Sequence, residues 1–333
     1  MRKFIFFCLM CLIFFSCHLA SGKKERGNAV ERIEIERYDK VLNEYVEFNS
    51  FSALKKLNTE YLQETKYLIE DVLRLGQVND DKINTKLKEF YSDSTLRMLT
   101  TDALRKFSDM NRLEKGFKKG FKKLKKEIPA LKIPHIYSQI SALNESVVVG
   151  DSILGFSIDK YMGEDYMLYK RYFYDYQRKS MKPDRILPDC FSFFLFSEYP
   201  FPENNKGHLL DVMLYYAKVH YVVSKILEYK SFGEELNYTK HEEEWCKFNS
   251  KNIWGYMLQN GHLNSTDPMI IRKYLKQAPN TAFFGDNSPM MTGVWMGMQI
   301  VDSYMKNHKN MTLKELLEMN DYTRMLSESR FNP

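Results

Sequence analysis

Residues 208–230 read HLLDVMLYYAKVHYVVSKILEYK. The stretch holds neither proline nor glycine, and its apolar residues fall on almost every face of a 3.6-residue helix. A helix that is hydrophobic nearly all round belongs inside a protein or a membrane. Asp211, Lys218 and His220 interrupt it, so it reads as the central helix of a folded core rather than a membrane span. Just upstream, three short segments have the β-branched and aromatic content of strands: residues 132–140, 146–150 and 153–158. Asn144-Glu145 and Gly150-Asp151 mark the turns between them. The fold class that follows is α+β, mostly helical with a small central β-sheet.

The flanks are helical. Residues 29–40 alternate apolar and charged around Ile33 and Ile35, which predicts a short strand entering a helix over 38–48. Residues 50–110 carry several helical patterns with almost no Gly or Pro. Residues 112–128 (RLEKGFKKGFKKLKKEI) place Leu113, Phe117, Phe121, Leu124 and Ile128 on one stripe, with Lys and Arg on the other face. This predicts a solvated basic helix packed through its stripe, with contact to anionic lipid as the sharper alternative. Gly116 and Gly120 each weaken such a helix by about 1 kcal/mol relative to Ala.

Beyond the sheet, residues 164–179 read as a tyrosine-rich helix and 188–197 as an apolar one. Residues 241–259 carry Trp245 and Trp254. Asp267-Pro268 has an N-cap followed by Pro at the first helical position. Ser288-Pro289 repeats that signature and predicts a helix from Ser288 to about Asn307. Within it Gly293 and Gly297 share a face and permit close helix contact, while Trp295 supplies packing area. Thr312 and Glu315 form a capping box before the last helix.

The start of the chain gives an address. Arg2 and Lys3 precede an apolar run over 4–15, then Ser16 and Cys17. The run is too short to span a bilayer and reads as an export signal. A small residue directly before cysteine makes it a bacterial lipoprotein signal, cleaved after residue 16, with Cys17 carrying acyl chains of the palmitate kind. Residues 17–28 read as a tether and 29–333 as one globular domain, helical to about 128, then sheet plus helices over 129–333. Removing Arg2 and Lys3 takes the formal charge from +6 to +4. That charge specifies no partner, and nucleic acid is not expected outside the cytoplasm. Cys190 and Cys246 read as two buried thiols, with a bridge between them as the alternative.

Chemistry-bearing patterns are sparse. The order of strands then buried helix is zincin-like, but a zincin needs HExxH on that helix. Here His220 could fill one ligand slot, with Tyr216 and Ala217 where the second His and the Glu belong. No two of the seven histidines lie three to five apart. There is no GxSxG elbow, phosphate loop or calcium loop. Asp159, Glu164, Asp165 and Asp211 offer carboxylates near the sheet-to-helix region without a telling spacing. No catalytic residue, metal ligand or cofactor is therefore assigned, and the chain is not expected to be an enzyme.

Several pieces, in order along the chain, resemble the gliding-motility lipoprotein GldB family of Bacteroidetes. They are Ile35-Glu36-Arg37-Tyr38-Asp39; Pro134 through Asp159, Tyr161 and Gly163; and Leu209-Leu210-Asp211-Val212-Met213 with Lys218. Trp245-Cys246 with Asn249 and Trp254 follows, then Ala278-Pro279. The most specific run is Ser288-Pro289, Gly293, Trp295, Gly297, Gln299-Ile300-Val301 and Ser303-Tyr304, and residues 327–333 fit the family's end. Met290, Met291, Met298 and Ser250 depart from it. The resemblance implies a relative of predicted zinc-dependent peptidases whose metal motif is lost. It implies a non-enzymatic accessory of envelope machinery, for gliding motility or associated secretion. Cys17 would hold it on a membrane, among envelope protein partners; the run after it, His18-Leu19-Ala20-Ser21, lacks acidic residues and so points to the periplasm rather than the cell surface. Lys218, His220, Trp245, Ser288, Gly293, Trp295 and Gly297 are its candidate interaction or packing residues. The alternatives are a metallopeptidase-like or glycan-active hydrolase, and a ligand-binding lipoprotein using the aromatics of 161–176 or 191–201.

Overall fold

The computed structural model describes Val30 and residues 33–333. The signal at 1–16, Cys17 and the tether at 17–28 lie outside the described residues. β1 (Ile35–Glu36) and α1 (Tyr38–Phe48) stand where the alternation predicts them. Then come α2 (Phe51–Thr59), α3 (Leu62–Lys66), a π-helical turn at Tyr67–Val72, α4 (Ile83–Tyr91) and α5 (Ser94–Lys106). Polar side chains start two of them: Ser50 Oγ accepts from the Ala53 amide, and Asp93 from the Thr95 and Leu96 amides. The basic helix is α6 (Asn111–Glu127), with Phe117, Phe121 and Leu124 fully buried.

The sheet holds β2 (His135–Gln139), β3 (Val147–Gly150) and β4 (Ile153–Ser157), in the order β1-β2-β4-β3. β1 and β4 run parallel to β2, while β3 is antiparallel to β4. The β3–β4 turn places Ser152 at φ 63°. Residues 164–179 form two short helices rather than one, α7 (Met167–Tyr172) and α8 (Asp175–Arg178), because Phe173 between them is extended.

α9 (Ile186–Glu198) covers β3 and β4, and α10 (Leu209–Leu227) lies against α9 and α6. α10 is buried on nearly all sides, as its sequence requires. After α11 (Phe232–Glu235), α12 (Lys240–Gln259) and α13 (Pro268–Leu275) comes α14 (Thr292–Asn307), which forms the most extensive helix contact of the fold with α10. α15 (Leu313–Glu318) and α16 (Tyr322–Ser329) close over α10 and α14. Asp267 caps α13, and the Thr312–Glu315 capping box opens α15, both as expected.

Ser288 is a correction. α14 begins at Thr292, after Met291 at φ 57°, and Ser288 caps no helix. Its hydroxyl bonds the Thr281 and Gly285 carbonyls, closing the loop before α14 on itself. Cys190 and Cys246 are both buried and free. Among the described residues no helix is long and apolar enough to cross a membrane.

Candidate functional site

Because β1, β2 and β4 are parallel, their carboxyl ends share one edge of the sheet, the edge where open parallel sheets place ligands. Buried polar residues gather there. Arg37 clasps Asp39 with Nε at 2.9 Å and Nη2 at 2.6 Å, and its Nη1 donates to the Phe107 carbonyl. Ser138 Oγ donates to the same carboxylate at 2.8 Å. After β4, Asp159 accepts the Ser141 amide at 2.9 Å and the Leu143 amide at 2.7 Å, while Lys160 Nζ donates to the Leu143 carbonyl. Burial raises the Asp159 carboxyl above the usual range, and the two amides pull it back. These bonds fix the loop after β2, where Leu143 sits at φ 65°. The cavity between Asp39, Tyr91, Thr100 and Ile140 is ≈ 10 Å³, about the room of one water. The Asp39 and Asp159 carboxylates at this edge are thus engaged by the protein's own groups.

A second polar cluster sits on α10. Lys218 is 1% exposed, and its ammonium donates to the Leu317 carbonyl at 2.7 Å, the Met319 carbonyl at 2.8 Å and Asn320 Oδ1 at 3.2 Å. It thereby satisfies the end of α15, where carbonyls point out unpaired, between the rings of Tyr215 and Tyr322. Burial lowers its pKa to about 8. His220 Nδ1 lies 2.8 Å from Glu235 Oε1. The backbone carbonyl of Glu235 accepts from Arg185, which pairs with Asp189, and Asp189 accepts from the Tyr161 hydroxyl. Sequence reasoning missed Arg185, Asp189 and Glu235. The spacing of Arg185 and Asp189, four apart across the start of α9, was the available signal.

The zincin slots on α10 do not fit a zinc. Tyr216 Oη is 3.2 Å from Lys276 Nζ, Ala217 packs on Gly297, and His220 is held by Glu235. Among the described residues no three His, Cys, Asp or Glu side chains are grouped to hold a metal. Asp211 bonds His208, and Asp165 pairs with Lys170 at the surface.

Gly293 lies on Tyr274 and Leu275, Gly297 on Met213 and Ala217, and Trp295 is 2% exposed. Gly297 thus joins the Lys218 helix. Trp245 is half-buried elsewhere, against Phe284 of the loop that Ser288 closes. The aromatic segments divide: Tyr161, Tyr169, Phe191 and Phe194 are buried, whereas Tyr172, Tyr174 and Phe193 are exposed. An open groove of ≈ 630 Å³ runs between Phe107, Arg112, Leu187 and Tyr229.

A family model described as gliding motility protein GldB matches residues 21–333, nearly the whole chain. No curated protein and no solved structure matches.

Proposed function

We propose, from the premise that this chain belongs to the gliding motility protein GldB family, that it is a non-enzymatic accessory of envelope machinery for gliding or associated secretion. Cys17 carries the lipid that keeps it on the membrane, and the folded domain offers a surface to protein partners. One observation supports this reading above others. The buried charged groups of the sheet edge and α10 are spent on the protein's own backbone and side chains: Asp159 on two amides, Lys218 on two carbonyls and an amide oxygen. Groups held this way position loops and helix ends.

The test has two arms. Cys17→Ser should release the protein from membranes and abolish the motility or secretion phenotype; unchanged localisation and phenotype would refute the anchored role. Purified protein should carry no zinc in stoichiometric amount, and zinc lost on His220→Ala would return the chain to the peptidases. Affinity capture of the lipidated protein from envelopes, followed by sequencing of what it retains, identifies the partner.

A further inference from the structure

α6 sends its lysines away from the fold. Phe117, Phe121 and Leu124 face the core, and Lys115, Lys119, Lys122 and Lys126 recur at spacings of four, three and four on the opposite side, all exposed. At 1.5 Å per residue the row is about 16 Å long. Lys119 pairs with Glu228, as does Lys123 beside it. Among the described residues Lys115, Lys122 and Lys126 have no acidic partner. The row contains no aromatic or large apolar side chain, so it suits a charged surface that it touches without inserting.

A second observation says which surface. The Ile35 amide donates to Glu114 Oε1 at 3.1 Å. The chain therefore enters the fold beside the first turn of α6. Between Cys17 and Ile35 the backbone can span at most about 60 Å. The far end of that stretch is the lipidated residue, so the anchor keeps α6 within that distance of a membrane.

We propose that the lysine face of α6 docks on anionic phospholipid headgroups of the membrane that holds Cys17, and so sets the orientation of the domain. This rests on the anchored reading above. Each lysine brought to an anionic lipid surface strengthens partitioning by about fivefold, and salt screens the effect.

The experiment uses the full lipidated chain on vesicles of phosphatidylcholine alone and of phosphatidylcholine with phosphatidylglycerol. Brief acetylation followed by mass spectrometry reads each lysine. Labelling of Lys115, Lys122 and Lys126 should fall severalfold on the anionic vesicles and recover in high salt. Exposed Lys240 and Lys309, on other elements, should label equally on both. The combined variant Lys115→Glu, Lys122→Glu and Lys126→Glu should keep its melting temperature and lose the lipid-dependent protection at Lys119, the remaining lysine of the row. Equal labelling on both vesicles, with the protein floating on each, would overturn the docking and leave the anchor intact. Protection that needs other envelope proteins would overturn it in favour of an acidic protein partner. Failure to float even on neutral vesicles would remove the anchor and this proposal with it.

Discussion

α6 and α14 each carry two glycines four residues apart, and in both helices another helix comes close at the pair. On α6 the neighbours are side chains of α9. A methyl on Gly116 would lie 2.3 Å from Leu187 Cδ1, and one on Gly120 2.3 Å from Phe191 Cζ. On α14 the neighbours include main chain. A methyl on Gly293 would lie 3.1 Å from the Tyr274 carbonyl oxygen, and one on Gly297 3.1 Å from the Met213 carbonyl oxygen and 2.7 Å from Ala217 Cβ. A side-chain end can rotate out of the way, but a carbonyl moves only with its helix. The sequence presents the first pair as a weakness in a helix and the second as a contact. Both are contacts, and what separates them is how freely the partner can yield.

Gly297→Ala should have the largest effect, a loss of about 3 kcal/mol from forcing α10 and α14 apart, read as a lower urea midpoint. If it matches Gly116→Ala, the distinction between the two pairs is broken.

The same α10 carries Lys218, whose pKa burial lowers from the ordinary lysine value of 10.5 to about 8. Between those values the unfolded chain binds more protons than the folded one, so stability rises with pH. The gain is complete above the unfolded value and is lost as pH falls through about 8. It is on the order of 3 kcal/mol at most. Urea midpoints on either side of that window should show the rise, and Lys218→Met should remove it. A slope that survives in Lys218→Met would assign it to another group.

Gly120→Ala should lose about 1–2 kcal/mol. The Phe191 ring that must move is packed 4.9 Å from Phe121 and 5.7 Å from Phe117. Adding Phe191→Leu should recover part of that loss, a coupling that a double-mutant cycle measures. Gly116→Ala should change least. Leu187 is only half-buried, and the gain of about 1 kcal/mol in helix propensity offsets its shift. Equal losses at 116 and 120 would show that α9 holds Leu187 as firmly as Phe191.

Local chemistry was legible where it stayed local. The Thr312–Glu315 box and the Asp267 cap use groups within one turn, and the sequence places both correctly. Ser288-Pro289 has the same local signature as Asp267-Pro268, yet its hydroxyl turns backward, to the Gly285 carbonyl three residues before it and the Thr281 carbonyl seven before it. The Thr281 bond depends on how the loop folds back, which the Ser-Pro pair does not report. Phe173 interrupts the helix expected over 164–179, and its ring lies 5.8 Å from Tyr169 and 4.5 Å from Lys160 Nζ. The first contact is local, and the second depends on Lys160 in the turn after β4. Among the residues singled out, Lys218 and Gly297 proved to be on touching helices, whereas Trp245 and Ser288 belong to another part of the fold.

By itself the sequence determined the α+β class, the strands, the buried character of α10, the amphipathic nature of α6 and, through the pieces it shares, the family. These follow from periodicity and capping, which act over a few residues. Only the tertiary structure decided that β1 pairs with β2, that Lys218 completes the end of α15, and that Gly116 and Gly120 make room for α9. Each is a contact between segments far apart in the chain, set by which surfaces can be buried together. Neighbouring residues carry no record of that.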